Sequence, residues 1–496
     1  MRNSPLTDFL SLRLDRGAAG ARARRPKNRQ IYQAIRAAIL DHVLPVGMQL
    51  PSSRELSQEL ALARNTVMYA YEQLLAEGYL ETRFGAGTFV ADTVPAPAAP
   101  PLEAAPAAPA LALSQRGAAL VTGAGASEQQ WGAFMPGVPD VTQFPHKIWS
   151  RLQNRIWRRP DTELLTYGAG AGYLPLREAI ADYLRVARSV NCGAEQVLIT
   201  TGIHQSVDLV ARILGDAGER AWVEDPGYWG TVSILRSLGI EASPVALDAE
   251  GLHPGADAFA RAPRFLFVTP SHQYPLGMVM SLSRRRLLLE YAAARQVWIV
   301  EDDYDSEFRY GSRPLASLQG LDTGQRVLYM GTFSKTLFPG LRIGYLVVPP
   351  ALAAPFATGL SELYRGGQFV SQAVLAAFIK EGHFSAHIRR MRVLYGARLR
   401  LLQAAVQAHF GDRVGTSGAD AGLHLALTLP AGCDDRAICA AARAEGIMAR
   451  PLSAYYQRAD APPGLILGYA CVPDATIAPA FARLARVIER HWPVTN

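Results

Sequence analysis

The sequence predicts two unlike folded parts on one chain: an N-terminal winged helix-turn-helix head and a larger α/β body with a mostly parallel sheet. Three observations predict this. Residues 92–130 form a Pro/Ala-rich stretch whose core, DTVPAPAAPPLEAAPAAPALA, holds six prolines and almost no large apolar side chain, so burial cannot offset the entropy of ordering it. Before it, apolar residues at helical spacing give way to two β-rich runs joined by glycines. After it, short runs rich in Val, Ile, Phe and Tyr alternate with longer helical patterns, which is the pattern of an α/β domain. The expected divisions are a head at 1–91, a linker at 92–130 and a body at 131–496.

In the head, Ile31, Ile35 and Ile39 recur every four residues and predict one apolar helix face. Pro45 and Gly47 break the chain. Ser52 followed by Glu55 is a capping box for a second helix, striped by Leu56 and Leu60. Asn65 or Thr66 is expected to cap a third helix, with Val67, Ala70, Tyr71 and Leu74 on its inner face and Gly78 at its end. The runs Tyr79–Arg83 and Thr88–Val90, parted by Phe84-Gly85-Ala86-Gly87, predict a hairpin. Two short helices, a small turn and then a hairpin are winged helix-turn-helix geometry.

Charge points the same way. Over half of the net charge of +7 lies in the first 91 residues, and Arg16 to Leu40 holds seven cations and no acid. Such a patch suits a polyanion such as DNA or, equally, a solvated basic arm. A composition of 49% hydrophobic and 19% charged residues is that of a globular protein. No apolar run approaches the ~18 residues of a membrane span, and the first 30 residues lack the apolar region of a secretory signal. The four cysteines form no Cys-x-x-Cys pair. No disulfide framework or metal cage is expected, and a reducing, cytoplasmic location is.

In the body, VLITT precedes a helical stretch from Ile203 to Leu214, and AWVED, RFLFVTP, QVWIVEDD and RVLYMGT read as strands separated by helices such as Ser283–Arg295. Ligands in parallel sheets sit at the carboxyl ends of the strands, where the unusual residues cluster. Only four of the 50 basic residues are lysines. One of them, Lys335, lies in GTFSKTLFPGLRIGY at a strand end. A lysine amine forms a Schiff base with an aldehyde and an arginine cannot. Pyridoxal 5'-phosphate needs such an amine, a phosphate cradle and an acid at its pyridine nitrogen. Thr332, Ser334 and Arg342 supply the cradle. Asp302 supplies the acid, and Tyr304 a phenol for the ring's 3-oxygen. Gly202, Ile203 and His204 open a helix whose free amides suit phosphate. Tyr228 can stack on the ring, and Gln273 and Tyr274 in SHQYPLG add polar reach.

The stretch LPSSRELSQELALARNTVMYAYEQLLAEGYLETRFGAGTFV resembles the GntR-type winged-helix domains throughout. The resemblance implies that Arg54, Arg64, Asn65 and Thr66 face double-stranded DNA, with the hairpin tip at Gly85 approaching the minor groove; Met68 stands where some relatives carry arginine. From about Phe134 onward the chain resembles the fold-type I aminotransferases. That implies a mostly parallel sheet with a smaller C-terminal α+β subdomain, and a homodimer in which Tyr167, in YGAGAGYLPLREAIADYL, reaches the partner's cofactor phosphate. Together the parts resemble the MocR family of transcription regulators. The expected function is a regulator whose body senses pyridoxal phosphate or an amine or amino-acid effector, with limited transamination at most. The alternative is an aminotransferase with an accessory head. Two departures bear on this choice. Ile203-His204 replaces a small hydroxyl or amide pair, and His204 either binds phosphate in a pH-sensitive way or is packed structurally. In LILGYACV, Ile466 stands where aminotransferases carry the arginine that clamps a substrate carboxylate; Arg450 is a candidate to compensate.

Overall fold

A computed structural model describes residues 6–7, 9–10, 26–92, 113–122, 130–168, 170–255, 259, 261–311, 316–418 and 420–493. The chain divides into two compact units, 1–112 and 113–496. The proline-rich stretch 93–112 lies outside the described residues, as does most of the basic run before Pro26. The later part of the expected linker contains a helix, Gln115–Thr122.

The first unit is a small three-helix domain with a wing. The helix Lys27–Leu40 buries Ile31, Ala34, Ile35, Ala38 and Ile39 on one face. The helix Ser53–Glu59 starts at the capping box: Ser52 Oγ accepts from the Glu55 amide at 3.2 Å, and a Glu55 carboxylate oxygen accepts from the Ser52 amide at 2.9 Å. That backbone bond holds the Glu55 carboxyl below its usual pKa. The third helix, Arg64–Ala76, buries Val67, Ala70, Tyr71 and Leu74. Its cap differs from expectation: Ala63 occupies that position without a side-chain bond, so Asn65 and Thr66 fall within the first turn. The Tyr71 hydroxyl donates to the Pro51 carbonyl at 2.9 Å, tying the third helix to the entry of the second. Strands β2 (Leu80–Arg83) and β3 (Gly87–Val90) form the wing, joined by a two-residue strand β1 (Gln49–Leu50) that pairs with β3. Gly85 and Gly87 take positive φ at the tip, +74° and +112°, which glycine adopts without steric cost.

The second unit is built on an eight-stranded sheet. Its strands are β4 (Val197–Thr200), β5 (Arg220–Asp225), β6 (Glu241–Asp248), β7 (Gly251–Leu252), β8 (Phe265–Val268), β9 (Trp298–Asp303), β10 (Val327–Thr332) and β11 (Gly344–Val347), in the order β4-β11-β10-β9-β8-β5-β6-β7. The run from β6 through β10 is parallel, and β11 is antiparallel to both neighbours. Parallel neighbours need a crossover of a dozen or more residues. Only 333–343 separates β10 from β11, so this connection returns as an antiparallel turn and stays over the carboxyl end of the sheet. It carries Lys335 and Arg342. Helices cover both faces: Ile203–Leu214 and Ala353–Tyr364 bury one, and Leu282–Arg295 buries the other.

A second sheet, β12 (Gly415–Ser417), β13 (His424–Thr428), β14 (Arg450–Pro451) and β15 (Gly464–Gly468), is antiparallel in the order β12-β13-β15-β14. It packs with the helices His383–Phe410, Asp435–Ala444 and Asp474–Arg490 in the largest apolar cluster. This is the smaller C-terminal α+β part. Segment 132–137 is pinned to it, since Ala133 bridges Ile447 and Phe134 bridges Gly468.

Candidate functional site

Strand alternation sorts the three acids that end β9, since successive side chains point to opposite faces. Glu301 accepts the amides of Leu318 and Gln319 at 3.0 Å each. Asp303 accepts from Arg188 Nε at 2.6 Å in a buried ion pair. Asp302 alone lines the cavity. Its Oδ1 is buried with no hydrogen-bond partner. Burial, with Asp303 adding repulsion, pushes its carboxyl up to about 8, while Lys335 pulls the other way.

Lys335 lies on the adjoining loop. Ser334 N donates to Thr332 Oγ1 at 3.1 Å, tightening the turn out of β10, and Lys335 Nζ donates to the Gly137 carbonyl at 2.8 Å. Burial lowers the pKa of the amine, opposed by Asp305 and Asp302, which favours the neutral, nucleophilic form.

The phosphate-type end is made by backbone. Gly202 precedes the helix Ile203–Leu214 with φ +126° and offers no side-chain cap, leaving first-turn amides open to an anion. Arg342 takes a left-handed φ of +52° at the end of its loop, and its guanidinium lies within 4 Å of where a β-carbon on Gly202 would stand. His204 shares a 2.7 Å hydrogen bond between Nε2 and the Tyr228 hydroxyl. Burial, then Arg342, lower the pKa of His204, so it does not add a second cation there at neutral pH.

These residues line one cavity of about 260 Å³. It brings together Gly202, Ile203, His204, Tyr228, Tyr274, Asp302, Tyr304, Thr332, Ser334, Lys335 and Arg342. Gln273 is not among them, which corrects the expectation of polar reach. Its amide nitrogen donates to Glu224 Oε2, Pro226 O and Tyr274 O at 3.2, 2.9 and 2.7 Å, and its oxygen accepts from Leu276 N at 3.0 Å. Gln273 holds its loop in shape and is thereby fully occupied. Tyr167 is 89% exposed and is not among the residues that line the cavity. Arg54, Arg64, Asn65 and Gly85 are exposed on the head, and Thr66 is half-buried. Ile466 is buried in β15 with Arg450 directly opposite in β14.

Sequence reasoning missed Pro136, Gly137, Thr269 and Pro339, which also line the cavity. The motif FMPGVPD carried a signal for the first two in its Pro-Gly pair. The orphaned Asp302 oxygen, the cavity-facing amine and the open amides beside Arg342 together fit pyridoxal phosphate: an acid for the ring nitrogen, an amine for the aldehyde and a cradle for the phosphate.

A family model described as "Bacterial regulatory proteins, gntR family" matches residues 27–90, and one described as "Aminotransferase class I and II" matches 143–484. The chain is 40% identical over 453 residues to the probable rhizopine catabolism regulatory protein MocR of Rhizobium meliloti, covering 91% of this chain and 92% of that one. It is 31% identical to the HTH-type pyridoxine biosynthesis transcriptional regulator PdxR of Corynebacterium glutamicum, covering 92% and 95%. Among solved structures, LysN, the α-aminoadipate aminotransferase of Thermus thermophilus complexed with N-(5'-phosphopyridoxyl)-L-leucine, superposes with a TM-score of 0.67 at 28% identity, covering 75% of this chain and 96% of that one. The body thus has the fold-type I architecture, whose cofactor is pyridoxal phosphate. No described helix is long and apolar enough to cross a membrane.

Proposed function

Since the chain belongs to the MocR-type transcription regulators, with a GntR-family head and an aminotransferase class I and II body, we propose that its body is a sensor. In this reading the cavity holds pyridoxal phosphate on Lys335 and responds to the cofactor itself or to a small amine or amino acid. The observation that carries it is the pairing of a DNA-reading head with a buried amine and an unpartnered acid in one cavity.

When bound, pyridoxal phosphate supplies an aldehyde that amines capture covalently. The chain's own residues do the rest. The Asp302 carboxylate would accept a hydrogen bond from the proton of the ring nitrogen and keep that nitrogen charged. The first-turn amides from Ile203 onward and the Arg342 guanidinium would hold the phosphate, with Ser334 and Thr332 beside them. Tyr228 covers a ring face, and Tyr274 closes the wall. On the head, Arg54, Arg64, Asn65, Thr66 and the Gly85 turn meet the duplex, with arginine suited to paired bonds on guanine. The protein works as a homodimer, Tyr167 serving the partner's site. An effector shifts the balance only if it binds two arrangements of the protein unequally, and DNA then alters effector affinity by the same factor.

A competing reading as an aminotransferase draws on the intact lysine and acid. Ile466 argues against it, because a buried aliphatic side chain cannot clamp a carboxylate. The test is selection of genomic fragments by the full-length protein with and without pyridoxal phosphate, beside a turnover assay on a panel of amino donors and keto acids. Enrichment of paired half-sites, altered by cofactor or amine, is expected. Fast multiple turnover without selective DNA retention would overturn the sensor reading.

A further inference from the structure

Next to the cofactor cavity lies a buried cluster that the reading above does not use. His272, on the loop after β8, and Asp305, after β9, are each about 1% exposed. His272 Nδ1 lies 3.1 Å from both Asp305 oxygens and 2.9 Å from the Tyr304 hydroxyl. His272 Nε2 is buried without a partner. His424, on β13, packs its ring 5.2 Å from that of His272 and bonds through Nε2 to the Pro275 carbonyl at 2.9 Å. That bond makes His424 Nε2 the donor, and burial beside His272 lowers its pKa to about 3.

The tautomer of His272 follows from the same contacts. A proton on Nε2 would leave a buried N–H unpaired and turn the Nδ1 lone pair onto two carboxylate oxygens. Both are costly. A proton on Nδ1 satisfies Asp305 and leaves only a bare lone pair at Nε2. Nδ1 then has no lone pair to offer Tyr304, so the Tyr304 oxygen can only accept from it. No other hydrogen-bond partner of the Tyr304 hydroxyl occurs among the described residues, and Tyr304 lines the cavity. Its own proton must therefore turn inward. The backbone is shaped around this pair: a β-carbon on Gly422, at φ +79°, would stand 2.1 Å from His272 Cε1 and 2.7 Å from Asp305 Oδ2.

We propose that His272, held by Asp305, is a positioning residue that aims the Tyr304 hydroxyl proton into the cavity, so that the site demands an anionic acceptor oxygen there. This rests on the reading of the cavity as a pyridoxal-phosphate site, whose phenol oxygen is such an acceptor. Tyr304 and Asp305 face His272 from the loop after β9, and His424 faces it from the small sheet. Lys335 also acts on His424 electrostatically, after His272 itself. His272, Asp305 and His424 bring their ligand atoms within 4.8 Å of one another, so a bound metal is the competing occupant that the test excludes.

The test is a pH titration of the visible absorbance of the full-length protein reconstituted with pyridoxal phosphate. Tyr304→Phe removes the donor and should raise the midpoint by about one unit, the size expected for losing one hydrogen bond to a charged oxygen. His272→Ala and Asp305→Asn should each raise it by at least half as much. His272→Asn, whose amide can stand in for the Nδ1 donor, should remain near wild type and covers the case in which the alanine variant does not fold. If Tyr304→Phe shifts the midpoint while Asp305→Asn does not, the positioning role is overturned and the cofactor site stands. If Tyr304→Phe leaves the midpoint unchanged, the aimed proton is overturned; if no visible absorbance develops in the wild type, the cofactor reading falls with it. A stoichiometric, tightly held metal in the purified protein would also overturn the proposal.

Discussion

The head wears its chemistry outside and the body keeps its chemistry within. Arg54, Arg64 and Asn65 are exposed, on a domain whose core is apolar, mostly aliphatic with Tyr71, and whose second helix is started by a serine cap. In the proposed reading the two arginines act on DNA electrostatically, an effect that weakens as salt rises. In the body, Glu224 and Glu301 are buried and Glu307 half-buried, and all three are pushed up to about 7, and Asp302 to about 8, desolvation being the first cause in each. Salt reaches these groups poorly, and the protein has to bear their desolvation. The head can therefore change its DNA contacts without refolding, whereas the body gains stability when a ligand satisfies what it has buried.

The sharpest way to break this contrast is Lys335→Ala. Borohydride treatment with pyridoxal phosphate should leave no mass addition on the chain, while the head's thermal transition stays in place. A label persisting on Lys27, Lys147 or Lys380 would refute the assignment. Asp302→Asn comes next. Losing a charged partner should weaken cofactor binding about tenfold or more by equilibrium dialysis. Without cofactor the same change should raise the body's melting temperature. Folded Asp302 keeps its proton after the unfolded chain has lost it, so stability falls as pH rises from the usual 3.8 through about 8. The gain from asparagine should thus be larger at about pH 8.5 than at about pH 5.5; the reverse order would show that Asp302 is not a burdened acid.

On the head, Arg64→Ala should weaken DNA binding about tenfold and reduce the salt slope by about one, with the cofactor spectrum unchanged. An unaltered slope would remove Arg64 from the phosphate contacts. The smallest effect is at Ser52→Ala, which should lower the head's melting by about 4 °C and leave the body's unchanged. A shift of both transitions would mean that the units do not unfold separately.

What the sequence disclosed follows the same division. Ser52-x-x-Glu55, the isoleucine stripe and the wing glycines are local signals, so the head was legible almost residue by residue. Lys335 stood out because lysine is rare in this chain and sits at a strand end. The misses have physical causes. A two-residue strand such as β1 carries no periodicity. The third helix is capped by the backbone of Ala63 and starts at Arg64, because backbone geometry, not the nearest polar side chain, sets the cap. Gln273 looks like a ligand residue in one dimension, and only the approach of Glu224 and Pro226 reveals that its amide is spent. His272, Asp305 and Gly422 are far apart in the chain, and no spacing rule joins them.

The bond from Lys335 to the Gly137 carbonyl spans more than the cavity. Gly137 ends the segment stitched to the small sheet through Ala133 and Phe134, while Lys335 lies on the loop that joins β10 to β11 of the large sheet. Any reaction that occupies this nitrogen competes with a rivet between the two halves of the body. Capture of an aldehyde and the hold of one half on the other thus draw on a single amine.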